Sequence, residues 1–171
     1  LSEVVVTVSV SKIETNITIE DDSLELDVDE EGNIGAELNP VEAGKLTYVS
    51  SNESVVAVDE NGNFKAAGEG KATITVSFDG DYNKYALSDA VVPVSVSKIE
   101  TSIDVEEESL EFFIGDSDAI VAELTPIGAG RVNFTSSNVS VVTVDKKGIL
   151  KSVGEGEATI TVSYEGNYKY T

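Results

Sequence analysis

Apolar and polar residues alternate in short runs along the whole chain. Valine occupies every second position of residues 4–10, and the run 72–78 alternates in the same way between apolar and hydroxyl residues. Successive side chains of a β-strand point to opposite faces, so runs of this kind predict half-buried strands. The predicted strands cover residues 1–11, 16–20, 24–28, 46–50, 55–58, 72–78 and 87–97.

The connections between these runs contain turn-forming residues. Asp59, Glu60, Asn61 and Gly62 predict a hairpin with a type I′ turn, because Asn and Gly tolerate the positive φ angles of that turn. Short β-branched runs with turns at regular spacing predict about seven or eight strands per repeat. This pattern is typical of an all-β fold made of antiparallel β-sandwiches.

The chain contains the same module twice. Residues 50–62 recur as 136–148 and residues 68–76 recur as 154–162, so the shift is 86 residues, as from Ser50 to Ser136. At this shift, more than half of the paired positions along the chain are identical, in strands and turns alike. The sequence therefore predicts a tandem duplication, with domains at residues 12–97 and 98–171.

The two ends of the chain are out of phase with the repeat. Residues 1–11 match residues 87–97, which follow the first full module, so they are expected to be the last strand of a preceding repeat. By the same count, the second module lacks its own last strand. An unpaired sheet edge beside a spare matching strand predicts strand-swapped self-association of the chain.

Composition narrows the partners that the chain can have. The 32 acidic and 11 basic residues give a net charge of −21, a surface that repels nucleic acid and anionic lipid. No apolar run approaches the roughly 18 residues needed to span a bilayer, so these residues are not expected to insert into a membrane. The chain has no Cys, which excludes disulfides and thiolate metal sites.

Two motifs carry a family resemblance. The pattern Ser-Ser-Asn-x-Ser-Val-x-x-Val-Asp-x-x-Gly at residues 50–62 and the pattern Gly-x-Gly-x-Ala-Thr-Ile-Thr-Val at residues 68–76 both return in the second copy. Together they resemble the bacterial immunoglobulin-like group 2 (Big2) repeats of cell-surface adhesin-like proteins. The family often has Trp where Tyr48 and Phe134 stand here, which changes the residue that fills the core.

The resemblance implies two tandem immunoglobulin-like sandwiches without catalytic activity, on the extracellular cell surface. The turn at residues 167–170 is also similar to turns in adhesin-like proteins of methanogenic archaea. The implied function is that of a structural spacer, or stalk, that projects a binding region from the cell, with neighbouring Ig-like repeats of the same chain as its partners. The alternative is an adhesive module whose pole loops bind a glycan or protein on a host or microbial surface.

The residue inventory also argues against catalysis. Nucleophilic and general-base catalysis draws on His, Cys or an activated Ser beside a base, and the chain has neither His nor Cys. Carboxylate pairs must arise by chance among so many acidic residues, and small sandwiches rarely offer the cleft that a glycosidase needs. We therefore predict that the chain is not an enzyme.

A bound metal is predicted at one turn at most. Asp79, Asp81 and Asn83 alternate as oxygen ligands do in calcium loops, and we call these three residues the oxygen-rich turn. The matching residues of the second copy are Glu165, Asn167 and Lys169, so the pattern does not repeat. No other cofactor is predicted.

Two further kinds of surface site can be read from the sequence. Tyr82 and Tyr85 lie before the last strand of the first module, where they either stack on sugar rings or cover the edge of the core. Asn-x-Ser/Thr acceptor sequences for N-glycosylation begin at four residues. They are Asn16, Asn52, Asn133 and Asn138.

Overall fold

The computed structural model describes residues 3–171 and divides the chain into two compact units. We call Leu1–Ser97 unit 1 and Lys98–Thr171 unit 2. Both are built from short strands, and their only described helical element is a 3₁₀ turn at Val41–Ala43. The predicted all-β fold is confirmed.

Nine strands form the part of unit 1 that the structure describes, residues 3–97. They are β1 (Asn16–Thr18), β2 (Leu24–Asp27), β3 (Glu31–Asn33), β4 (Glu37–Asn39), β5 (Gly44–Ser50), β6 (Val56–Val58), β7 (Asn63–Ala66), β8 (Gly70–Gly80) and β9 (Ala90–Ser97). The largest sheet has the order β2-β9-β8-β5, a second has the order β3-β7-β6, and β1 pairs with β4. All pairs are antiparallel except β2 with β9, which run parallel from Leu24 opposite Val94 to Asp27 opposite Ser97.

The core of unit 1 follows from the alternation of apolar residues. In β8, Ile74 and Val76 are fully buried and Phe78 is 1% exposed, while Thr73, Thr75 and Ser77 between them are not buried. The inward face of β8 therefore packs against the other sheets, as the period-2 pattern predicted. Its neighbour β9 contributes Val92, Val94 and Val96 to the same cluster.

Seven strands form unit 2. They are β10 (Ser102–Val105), β11 (Ser117–Ala119), β12 (Ala122–Thr125), β13 (Asn133–Ser136), β14 (Val142–Val144), β15 (Ile149–Ser152) and β16 (Ile160–Ser163). They pair as β10-β12, β11-β15-β14 and β13-β16, which repeats four of the pairings of unit 1: β1-β4, β3-β7, β7-β6 and β5-β8. In β16, Ile160 and Val162 are only half-buried, whereas their counterparts Ile74 and Val76 are completely buried.

The segment before unit 1's first strand differs from the sequence-based expectation. Residues 3–12 form no strand, although a strand was predicted at residues 1–11, of which Leu1 and Ser2 lie outside the described residues. A strand needs a partner edge, and in unit 1 the place between β2 and β8 is already taken by β9. The assignment of this segment to a preceding repeat stays a prediction.

The hairpin between β6 and β7 is present, but its predicted turn type is wrong. A type I′ turn needs positive φ at both central residues. Gly62 has a φ of 80°, but Asn61 does not have a positive φ. Among the described residues, Asp29 is the one non-glycine residue with a positive φ. The Gly62 N–H instead donates to the Asp59 carbonyl at 3.1 Å, as in a type I turn followed by a left-handed glycine.

Candidate functional site

Aspartate side chains hold the same turn together in both units. In unit 1, one carboxylate oxygen of Asp59 accepts the backbone N–H groups of Asn61 and Asn63, both at 2.9 Å, and the other accepts the Asn63 amide at 2.8 Å. In unit 2, Asp145 accepts the N–H groups of Lys147 at 2.8 Å and Ile149 at 3.0 Å. These bonds satisfy turn donors that would otherwise depend on water.

The same hydrogen bonds favour the ionised form of each aspartate. The side-chain bond from Asn63, and then its backbone N–H, hold the pKa of Asp59 below its usual value. The backbone N–H groups of Ile149 and Lys147 likewise lower the pKa of Asp145. Both carboxylates are thus structural groups that carry a negative charge at neutral pH.

The oxygen-rich turn uses the carboxylate of Asp81 in a similar way. One carboxylate oxygen of Asp81 accepts the Asn83 N–H at 3.0 Å, and the Asp81 carbonyl accepts the N–H groups of Lys84 and Tyr85. Within residues 3–171, no three acidic, His or Cys side chains are grouped so as to hold a metal ion. The structure therefore adds no support to calcium at Asp79, Asp81 and Asn83, which stays a prediction.

The two tyrosines of the same loop differ in their surroundings. Tyr85 is 3% exposed and belongs to the core of unit 1, with the Lys84 ammonium 5.0 Å from its ring centroid. Tyr82 is 41% exposed, donates its hydroxyl proton to the Phe78 carbonyl, and packs its ring 5.3 Å from that of Phe78. Of the pair proposed to stack on sugars, Tyr82 alone presents a face to solvent.

The corresponding loop of unit 2 is one residue shorter than the loop of unit 1. The shift of 86 residues that relates the rest of the two copies concealed this difference. Ile13 forms a parallel bridge with Tyr85, and in unit 2 Ile99 forms the same bridge with Tyr170. In both, the isoleucine N–H donates at 2.9 Å to the carbonyl of the preceding lysine, Lys84 or Lys169. The Lys-Tyr pair, present in both copies, was the signal that could have revealed this shift.

The four predicted glycosylation acceptors are all exposed: Asn16, Asn52, Asn133 and Asn138. Asn16 lies in β1 and Asn133 in β13. At Asn52 and Asn138, the side-chain oxygen accepts both the N–H and the hydroxyl of the serine two positions later, at 3.1 and 2.7 Å for Ser54 and at 3.1 and 2.6 Å for Ser140. These are Asx turns, which have a structural role whether or not sugar is attached.

A surface depression lies over the β3-β7-β6 sheet of unit 1. Its acidic residues are already engaged, since Glu31 pairs with Lys65 at 2.6 Å and Asp59 holds its turn. The Glu31–Lys65 pair lies directly across the β3–β7 ladder and both side chains are more than half exposed. The polar groups of the depression thus serve a cross-strand ion pair and a turn.

One family model matches both of the duplicated units. The family described as bacterial Ig-like domain (group 2) matches residues 14–85 and 99–167. The chain belongs to this family. Each unit is therefore a group 2 Ig-like domain, and the tandem β-sandwich architecture predicted from the sequence is confirmed.

One curated relative of this Ig-like chain is a longer protein. It is 30% identical over 153 residues to an uncharacterised protein of Clostridium acetobutylicum, a match that covers 87% of this chain and 15% of that protein. The chain thus spans a small part of the relative's length.

Two solved structures are also similar to the group 2 Ig-like chain. The S-layer protein rSbsC(31-844) matches 90% of this chain and 26% of its own at 18% identity and a TM-score of 0.46. Human protocadherin-24 EC1-2 matches 88% of this chain and 93% of its own at 15% identity and a TM-score of 0.37. No helix among the described residues is long and apolar enough to cross a membrane.

Proposed function

We propose that this chain is a load-bearing spacer of an extracellular cell-surface protein, in which repeated Ig-like units hold a binding region away from the cell. The observation that carries the proposal is the parallel pairing of β2 with β9 in unit 1. It supports a mechanical role because β9 is the strand by which the chain leaves the unit. Duplication supports the same role, since a spacer gains length from each copy.

Tension along the chain loads the parallel β2–β9 pair in shear. Force applied to residue 12 first loads the Ile13–Tyr85 bridge and the β1–β4 pair, and once these open it pulls β2 from its N-terminal end. Force applied to Ser97 pulls β9 from its C-terminal end. In a parallel pair these are opposite ends of the joint, so the hydrogen bonds between Leu24–Asp27 and Val94–Ser97 are loaded together. Breaking several bonds at once requires more force than opening them one after another. Unit 1 should therefore resist extension.

Single-molecule force spectroscopy tests the mechanical claim. The chain has no cysteine, so an Asp81→Cys/Asp89→Cys variant can be pulled specifically at two exposed residues that flank the same end of the antiparallel β8–β9 pair. Pulling there opens the pair one bond at a time, and unit 1 should unfold at a clearly lower force than when the chain is pulled from its two ends. Equal forces in the two geometries would reject the load-bearing role.

The second candidate is an adhesive module that binds a glycan or protein through its pole loops. Tyr82 favours it, because a half-exposed ring held by Phe78 is a rigid apolar platform of the type that stacks on sugars. The test is binding of the chain to a glycan panel and to intact cells, with and without calcium. Saturable binding that is lost in Tyr82→Ala but kept in Tyr168→Ala would favour adhesion over the spacer. Absence of binding would leave the spacer.

A further inference from the structure

One stretch of unit 2 is positively charged within a strongly acidic chain. Residues 119–154 contain four basic and two acidic residues, whereas the equivalent residues 33–68 of unit 1 contain two basic and five acidic residues. This stretch of unit 2 therefore has a net charge of +2, although the whole chain has a net charge of −21. Its four basic residues are all exposed, and we call them the basic patch. They are Arg131, Lys146, Lys147 and Lys151.

The strands that carry the basic patch are arranged as in unit 1. β13 pairs with β16 in the register in which β5 pairs with β8, and β14 pairs with β15 in the register of β6 with β7. A Cβ on Gly148 would lie 3.0 Å from the Phe134 ring, and a Cβ on Gly62 would lie 2.8 Å from the Tyr48 ring. The hairpin turn therefore lies against the same aromatic position in both units.

In unit 1 the equivalent positions line a second depression, between strands β4 and β5 and the turn that joins β6 to β7. Lys45, Glu60 and Asn61 contribute its polar lining near the turn. Their counterparts in unit 2 are Arg131, Lys146 and Lys147. One positive and one negative charge in unit 1 are thus replaced by three positive charges in unit 2.

The apolar lining of the second depression also has counterparts in unit 2. Val41 and Tyr48 contribute to it in unit 1. Ile127 and Phe134 occupy these positions in unit 2, where Ile127 is 93% exposed and Phe134 is half-buried. The cations of unit 2 are therefore accompanied by exposed apolar surface of the kind that packs on the C–H face of a sugar ring.

The turn of the β14–β15 hairpin is ordered by Asp145. Its carboxylate accepts the backbone N–H groups of Lys147 at 2.8 Å and Ile149 at 3.0 Å. These bonds fix the backbone of the turn while the side chains of Lys146 and Lys147 remain exposed. The turn thus presents two ammonium groups from a defined position.

Further along the hairpin, Lys151 lies opposite Ser117 in the ladder between β11 and β15. The equivalent Lys65 of unit 1 lies opposite Glu31 and pairs with its carboxylate at 2.6 Å. The carboxylate at this ladder position is therefore replaced by a hydroxyl in unit 2, which leaves the charge of Lys151 available to an external anion.

The spacing of the cations fits an extended anionic chain. Residues 147 and 151 are four positions apart, which is roughly 13 Å along a strand that rises about 3.3 Å per residue. Charges spread over this length contact successive anionic groups of a polymer. An arginine such as Arg131 adds two parallel N–H donors that match a carboxylate or phosphate group.

We propose that the basic patch of unit 2 binds an anionic polysaccharide, whose sugars carry carboxylate or phosphate groups. At physiological salt the screening length is about 8 Å, so a flexible polymer that follows the patch is little affected by acidic residues further away. A nucleic-acid duplex is stiff over about 150 base pairs and would also lie over the acidic surface around the patch. The inference deepens the adhesive candidate function by naming a glycan class, and it does not depend on Tyr82.

Binding of the full chain to two immobilised polysaccharides tests the proposal. Polygalacturonate carries carboxylates and phosphomannan carries phosphates, so the two surfaces identify which anion is bound, and neutral mannan is the reference. We expect saturable binding to at least one of the two anionic polymers at low salt and none to neutral mannan. The affinity should fall as salt rises, because salt screens exposed charges.

The decisive variant gives unit 2 the turn of unit 1. Lys146→Glu/Lys147→Asn introduces the residues that unit 1 has at positions 60 and 61, so the hairpin should form as it does there. Binding to the anionic polymer should weaken about tenfold, the order expected when a few exposed ion pairs are lost. An unchanged affinity would overturn the proposal.

Two control variants separate the basic patch from other effects. Lys12→Asn/Lys71→Glu makes the same change in net charge at two exposed lysines of unit 1 and should bind like the wild-type chain. Tyr82→Ala should also bind like the wild-type chain, so this result is independent of the adhesive test at Tyr82 and of the force measurement on the spacer.

Three other outcomes would overturn the proposal. The first is that neither anionic polymer binds. The second is that Lys12→Asn/Lys71→Glu weakens binding as much as Lys146→Glu/Lys147→Asn, because the effect would then come from net charge alone. The third is self-association of the chain, without polymer binding, that Lys146→Glu/Lys147→Asn abolishes in light scattering, because the anionic partner would then be a second copy.

Discussion

The difference in burial between two equivalent isoleucines predicts a difference in their contribution to stability. Ile74 of unit 1 is fully buried beside β9, whereas Ile160 of unit 2 is half-buried. We expect Ile74→Ala to destabilise unit 1 much more than Ile160→Ala destabilises unit 2.

The magnitudes follow from the atoms removed. Replacing Ile by Ala deletes three carbon atoms, which corresponds to about 2.4 kcal/mol of transfer free energy when all are buried. The closed cavity left at Ile74 adds about 1–2 kcal/mol, for a total of about 4 kcal/mol. At Ile160, partial exposure reduces the transfer term to about 1 kcal/mol, and solvent enters the open site instead of leaving a cavity. The two losses should differ by about 3 kcal/mol, or roughly 100-fold in the opening equilibrium.

Native-state hydrogen exchange under increasing urea measures the two units separately, because peptides from each unit report its own opening. Thr75→Ala and Thr161→Ala are the matched controls, since neither side chain is buried in the core, and each should change stability by less than about 0.5 kcal/mol. Equal losses for the two isoleucine variants would refute the argument that Ile160 is less well packed than Ile74.

Three further predictions concern the turns. Gly62→Ala should destabilise unit 1 by about 2–3 kcal/mol, because the residue has a left-handed φ and the new Cβ would lie 2.8 Å from the Tyr48 ring. Gly115→Ala is the control, since its new Cβ meets no atom within 4 Å and unit 2 should lose only the free energy of the left-handed backbone conformation. Equal losses in urea unfolding would contradict this. The pKa of Asp59 is lowered, chiefly by the Asn63 side-chain hydrogen bond. The stabilisation from this carboxylate is therefore complete above the unfolded pKa of about 3.9 and is lost as pH falls through the folded pKa. In Asp59→Asn, the urea midpoint should fall less steeply as pH is lowered through this range, and an unchanged pH dependence would reject the assignment. The oxygen-rich turn binds calcium only if the melting temperature of unit 1 is higher with calcium than with a chelator, and equal midpoints would reject the site.

Residues that act through short-range geometry could be predicted from the sequence. The alternating run 72–78 predicted which side chains of β8 point inward, because the period of a strand needs no knowledge of its neighbours. The hairpin after Val58 was also predictable from its turn residues. Its turn type was not, because the Asp59 carboxylate organises the following N–H groups into a type I turn instead.

The candidate sites were harder to read. The sequence indicated two tyrosines near one loop but not that Tyr85 is enclosed by the core while Tyr82 remains half-exposed. The one-residue shortening of the unit 2 loop was hidden because most of the chain obeys one shift. The bridge from Ile99 to Tyr170 identifies the true equivalent of Tyr85, in agreement with the Lys-Tyr pair that both copies contain.

Residue type and spacing alone establish the alternating pattern, the duplication, the charge and the absence of Cys and His. The choice of strand partners, the parallel direction of β2 and β9, and the lack of a strand at residues 3–12 depend on the tertiary structure. The physical reason is that a strand's backbone groups must be paired by another strand, which can be remote in sequence. Residues 4–11 and 90–97 have nearly the same sequence, yet only the latter form a strand, because only they have β2 and β8 beside them.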